Sequence, residues 1–191
     1  MKKEKMTFAE RQQKITFCRG GKMVLVLLNE KEKEETLGVM DDQSGEMVTM
    51  FEYDAFWMDV NGKTYNDVTA SAKREVMAEI DAYDTSSAVN GFLLNGARVW
   101  LDKATRVGLM NSTNIAKSMG ETTTTLWLGG AQMTVSCDKA IQLLSALEMY
   151  ALQCYNVTAQ HKAAVNGFSS IEEVLEYDFK KGYPEQLKME V

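Results

Sequence analysis

At 191 residues, with 45% hydrophobic and 25% charged residues, the chain is long enough for one domain with a core, or a small domain plus an arm, and its composition is ordinary for a globular protein. No apolar run approaches the roughly 18 residues of a membrane helix, and no apolar segment follows the charged start Met1-Lys2-Lys3-Glu4-Lys5, so neither a membrane span nor a secretory leader is expected. The formal charge of −6 is uneven: residues 1–22 hold seven cations against Glu4 and Glu10, a formal +5, which leaves −11 on the rest.

A basic arm on an acidic body suggests electrostatic docking of residues 1–22, with Phe8, Ile15 and Phe17 as its apolar part. Met6, Phe8, Ile15 and Phe17 suit a short amphipathic helix over 6–17. Met23 to Leu28 is a compact apolar strand, followed by charged residues 30–35 as a turn or solvated strand end. Leu37 to Met40, Met47 to Tyr53 and Phe56 to Val60 read as further strands, with Asp41 to Gly45 as a turn, giving a small antiparallel sheet from 22 to about 65. Asn66 then caps a helix with Val68, Ala72, Val76, Ile80 and Tyr83 on one face.

Two similar units follow. Phe92-Leu93-Leu94 and Val99-Trp100-Leu101 flank Asn95-Gly96, the preferred pair for a type I′ hairpin turn, and a helix runs from Asp102 to about Met119, ended by Gly120. Thr122 to Leu128 and Met133 to Ser136 then flank Gly129-Gly130, and a second helix opens at Asp138. Both helices begin Asp-Lys-Ala, at 102 and 138. Such tandem units are expected to pair their strands into one sheet and lay both helices on one face. A last short helix opens at Ser169 or Ser170, with Glu172 or Glu173 completing a capping box.

The helix over 138–166 is the strongest local signal. It has no proline or glycine between Lys139 and Val165, and at 1.5 Å per residue it reaches roughly 40 Å. Ala140, Leu144, Leu147, Ala151, Cys154, Thr158, His161 and Val165 alternate four and three apart, the spacing of a heptad seam. Such a seam is built for packing. It predicts either a homo-oligomer, dimer or trimer, with Leu144, Leu147, Ala151, Cys154, Thr158 and His161 at the interface, or packing on the chain's own sheet.

Chemistry is hard to find. The single histidine, His161, lies on the seam, where a polar residue sets register rather than activating a nucleophile. Three widely spaced cysteines, Cys18, Cys137 and Cys154, suit neither a zinc site nor a disulfide framework, and fit a reducing cytosol. Asp41-Asp42 and Glu172-Glu173 are adjacent pairs whose members point apart, and Asp81 with Asp84 makes a poor metal site. Gly20-Gly21 and Gly129-Gly130 are turn glycines, far from a phosphate-binding loop. No catalytic, cofactor-binding or metal-ligating residue is assigned, no cofactor is expected, and one short arm makes nucleic acid a poor fit.

From Ile80 to Met189 the chain resembles a family of uncharacterised proteins encoded among the tail and fibre genes of phages and prophages of gut bacteria. The residues that carry the resemblance are Ile80 to Ser87, Val89-Asn90, Trp100 to Arg106, Thr125 to Gly129, Ala146 to Ala151, Cys154 to Lys162, Glu172 to Asp178 and Gly182-Tyr183-Pro184. The resemblance implies a part of a virion, made in the host cytoplasm, in contact with fibre, tail or capsid proteins. The expected function is a non-enzymatic adaptor or decoration protein of head or tail fibres, the alternative being a fibre-assembly chaperone absent from the mature particle. The expected fold is α+β: a basic arm (1–22), a β-rich subdomain (23–65), and a fibre-associated domain (66–191) of two β-hairpin–helix units with the long helix packed on the sheet.

Overall fold

The structure, a computed structural model, describes residues 1–37 and 46–191. The fold is α+β, with an antiparallel N-terminal sheet, β-hairpins and one long helix, as the pattern of elements predicts. The chain forms two compact units, Met1–Val76 with Val165–Tyr177, and Met77–Ala164 with Asp178–Val191. These boundaries are not those read from the sequence. They fall inside two helices, Tyr65–Asp84 and Cys137–Gly167, which no change of composition marks.

The first unit holds a four-stranded sheet in the order β1-β4-β3-β2, from β1 (Lys2–Phe8), β2 (Ile15–Cys18), β3 (Met23–Leu37) and β4 (Glu46–Asp59). The expected basic arm and its helix over 6–17 are therefore corrected: this segment supplies both edge strands. β1 runs antiparallel to β4 from Lys2↔Trp57 to Phe8↔Phe51. Its residues alternate, with Glu4, Met6 and Phe8 partly buried between exposed neighbours, so a period of two prevails over a helical one. Cations of this segment pair with carboxylates of the same unit. Lys5 reaches Asp54 and Glu52, Arg11 reaches Glu30 at 3.0 Å, and Lys14 pairs with Glu172.

β3 and β4 are long strands whose pairing shifts register between Leu28 and Lys31, where Asn29 takes a positive φ. Lys31 to Glu35, expected as a turn or strand end, continue β3 as an exposed ribbon along β4. The two strands read separately at 47–53 and 56–60 are the single strand β4. The expected strand Leu37 to Met40 and turn Asp41 to Gly45 lie almost wholly outside the described residues. Leu25, Leu27, Tyr53 and Ala55 form a buried cluster, with Met6, Phe8, Phe51 and Trp57 packed against it. Val24, Val26, Phe56 and Met58 alternate with them and are equally buried, as in a sheet covered on both faces.

α1 (Tyr65–Asp84) buries the predicted stripe Val68, Ala72, Val76 and Ile80. Its cap is Thr64 rather than Asn66: the Asp67 amide donates to Thr64 Oγ1 at 3.2 Å, and the Thr64 amide donates to Asp67 at 2.9 Å. α5 (Ile171–Glu176) has the predicted capping box, made by Ser170 and Glu173.

In the second unit, Ser87–Asn90 forms a short helix, α2, which the sequence reading did not foresee. Asn95 and Gly96 take positive φ values of 49° and 80° between β5 (Phe92–Leu94) and β6 (Ala97–Val99), as the predicted turn requires. Gly129 and Gly130 do the same between β7 (Thr123–Leu128) and β8 (Ala131–Ser136). The two hairpins do not share a sheet, which corrects the tandem-unit expectation. The open edge of β5 is taken by β9 (Lys188–Met189) in parallel, with the Leu93 amide donating to the Leu187 carbonyl at 2.8 Å. β7 and β8 stay a two-stranded sheet.

α3 (Lys103–Ser118) is capped by Asp102, and α4 (Cys137–Gly167) by Ser136, whose Oγ accepts the Lys139 amide at 3.2 Å. All eight seam residues of α4 are buried. Ala140, Leu147 and Cys154 join Val89, Phe92, Leu94, Val99, Leu126, Leu128 and Met189 in one core cluster. Both hairpins and the C-terminal strand thus lie against α4.

Thr113 of α3 is 1% exposed, and among the described residues its hydroxyl is the buried side-chain group without a hydrogen-bond partner. Thr113→Val keeps the β-branched shape and removes the unmatched hydroxyl. It is expected to stabilise the protein by about 1 kcal/mol in denaturant titration, and a loss of stability would show that the hydroxyl is in use.

Candidate functional site

Leu144, Leu147, Ala151 and Cys154 are between 0% and 8% exposed in the single chain, so they offer no surface to a second copy. Thr158 and His161 are equally covered. Thr158 Oγ1 donates to Asp84 Oδ1 at 2.7 Å and lies 2.9 Å from the Tyr183 hydroxyl. His161 Nε2 is 2.9 Å from the Lys181 carbonyl, which can only accept, so that nitrogen carries the proton. These polar seam positions fasten the C-terminal segment to α4. Phe8 packs edge-on to Tyr53 at 6.0 Å, and Phe17 is half-buried in β2. Asp81 pairs with Lys162, and Asp84 is bound by Thr158.

The buried nucleophiles are held in protonated form. Tyr150 donates to the Val89 carbonyl at 2.9 Å, and Cys154 Sγ reaches the same oxygen at 3.4 Å. Burial pushes the Tyr150 hydroxyl up to about 12, aided by its neighbour Cys154, and burial also raises the Cys154 thiol. All three cysteines are free thiols, with Cys137 and Cys154 buried and Cys18 half-buried. Among the described residues no group of three His, Cys, Asp or Glu side chains is placed to hold a metal, and no helix is long and apolar enough to cross a membrane.

Two surface features of the second unit stand out. The first is a cleft of about 540 Å³. One wall is α4, through Glu148, Ala151, Leu152 and Tyr155; the other is the β6–α3 junction, through Trp100 to Lys103 and Arg106; Asp84, Thr85 and Asn90 complete the lining. Val99 at the end of β6 and Leu101 beyond it are buried while Trp100 between them is exposed, and Tyr155 follows buried Cys154 on the open flank of the seam. Arg106 is 8% exposed. Its Nε donates to Glu148 Oε1 at 2.9 Å and its Nη1 to the Leu101 carbonyl at 2.8 Å, so its charge is neutralised in place.

The second feature is the outward face of α3. Ala104, Gly108, Asn111, Ile115 and Ser118 again alternate four and three apart, and all five are exposed. Ile115 is 59% exposed, and Met119 beyond the helix end is 78% exposed. The charges of α3 lie elsewhere: Arg106 on Glu148, Lys117 on Asp138 and Lys103 at the cleft. The sequence reading missed this face, although its spacing is visible in residues 104–118.

Protonated Tyr150 contributes stability that is fully present below the ordinary tyrosine value near 10 and is lost as pH rises towards about 12. Denaturant titrations are expected to show unfolding free energy falling between pH 10 and 12 more steeply in the native chain than in Tyr150→Phe. Equal slopes would contradict a buried neutral hydroxyl.

No curated protein and no solved structure matches the chain. The sequence model of the family described as "Domain of unknown function (DUF4376)" matches residues 71–181, a span that contains the cleft, α3 and the whole of α4. The chain belongs to that family.

Proposed function

We propose that the protein is a non-enzymatic structural component of a phage particle, an adaptor or decoration protein of the head or tail fibres that is made in the host cytoplasm and assembles as a homo-oligomer. The resemblance of residues 80–189 to proteins encoded among tail and fibre genes supports the particle. The outward face of α3 supports the assembly, and it is the observation that carries the reading. An exposed helix normally places its charges in water and its apolar residues inward. The outward face of α3 carries none of the helix's charges: Arg106 and Lys117 pair with Glu148 and Asp138 and Lys103 lies at the cleft, while Ala104, Gly108 and Ile115 face outward.

Gly108 is the informative residue. Glycine inside a helix costs about 1 kcal/mol relative to alanine, and a Cβ at 108 would meet nothing within 4 Å. The fold of the chain therefore gives no reason for it. Close approach of a second helix gives one, as does the seam spacing around it.

Gly108→Ala is expected to raise the melting temperature at low protein concentration and to weaken self-association. Ile115→Arg, at a position already in solvent, should yield a folded monomer by light scattering at micromolar concentration. A native chain that is itself monomeric there would contradict the assembly. Mass spectrometry of purified particles is expected to find the chain, and its absence from particles would contradict the virion role.

A further inference from the structure

The cleft beside α4 serves no step of the assembly just described, and we infer that it is a binding site for a neutral saccharide. Its volume of about 540 Å³ lies within the range of small-ligand sites. Two aromatic residues line it, Trp100 at 43% and Tyr155 at 62% exposure, beside Leu101, Ala151 and Leu152. Exposed Trp and Tyr rings offer flat apolar faces together with a polar edge.

The polar lining narrows the ligand class. The buried cation, Arg106, is already paired with Glu148. Of the rest, Asp102 is held by the Thr105 amide and hydroxyl at the helix cap, and Asp84 and Lys103 oppose each other in charge. A phosphorylated ligand would need more than one free cation, and a strongly cationic ligand more than one free carboxylate. The lining instead mixes acceptors with donors beside two aromatic residues, Asp84 and Asn90 against Lys103 and the Tyr155 hydroxyl. A pyranose matches that mixture: each hydroxyl both donates and accepts, one face of the ring is apolar C–H, and it carries no net charge.

The test is retention of the full-length chain on an immobilised panel of neutral oligosaccharides of hexoses, deoxyhexoses and N-acetylhexosamines, followed by calorimetric titration with the best-retained member. Binding is expected, weakened about tenfold by Trp100→Ala and by Tyr155→Ala, as loss of one stacked ring implies, and largely restored by Trp100→Phe. Both side chains are exposed, so unchanged melting temperatures would show that the fold is intact. Retention of no neutral glycan, retention unaffected by either substitution, or retention confined to charged glycans would overturn the inference, as would capture of peptide ligands in the cleft instead. The light-scattering behaviour of Ile115→Arg is independent of every one of these outcomes, so saccharide binding and oligomeric assembly fail or stand separately.

Discussion

One stripe along α4 has to be kept from water, and the second unit is organised around doing so. Full burial of a Leu side chain contributes about 1.5–3 kcal/mol, and within this unit the stripe offers Leu144 and Leu147 together with the small residues Ala140, Ala151 and Cys154. Small residues let other elements approach the helix closely, and the β5–β6 and β7–β8 hairpins bring Phe92, Leu94, Leu126 and Leu128 against it. Where the stripe turns polar, at Thr158 and His161, the C-terminal segment supplies Tyr183 and the Lys181 carbonyl to meet it. That segment then reaches β5 and adds β9. Without α4, neither the three-stranded nor the two-stranded sheet would have an apolar surface to cover.

This arrangement also fixes what is left for function. With the seam used internally, the residues available for contact are those flanking it. Tyr155 and Leu152 stay open on one flank, while Glu148 reaches across to Arg106. α3 turns its charges towards these flanking positions and leaves its own uncharged face outward. The cleft and the α3 face are thus two consequences of one packing choice. Both are open to solvent, whereas the thiol of Cys154 and the hydroxyl of Tyr150 are buried and bound to a backbone carbonyl.

Much of this fold was legible where the signal is local. Asn95-Gly96 and Gly129-Gly130 demand positive φ, Ser170 and Glu173 satisfy each other's amides, and the α4 spacing announces a buried stripe. Contacts distant along the chain were not legible. Leu94 pairs with Met189 only because the C-terminal segment returns along α4, and no composition records that return. β1 was misread because Met6 and Phe8 suit a strand as well as a helix, and the deciding partner, β4, lies some fifty residues away. For the candidate sites the limit is similar. Trp100 and Tyr155 face one cleft only through the register of α4, and the outward face of α3 is known only once Arg106 and Lys117 show which flank meets the rest of the unit.

The central claim is that α4 is an internal element whose seam is covered by its own chain. Amide hydrogen exchange of α4 at several protein concentrations tests it most directly. The account predicts that amides from Leu143 to Cys154 exchange only through global unfolding, with protection independent of protein concentration when the Ile115→Arg chain is used. Protection of those amides that grows with protein concentration in that chain would show α4 to be covered by a second copy, and would contradict the account.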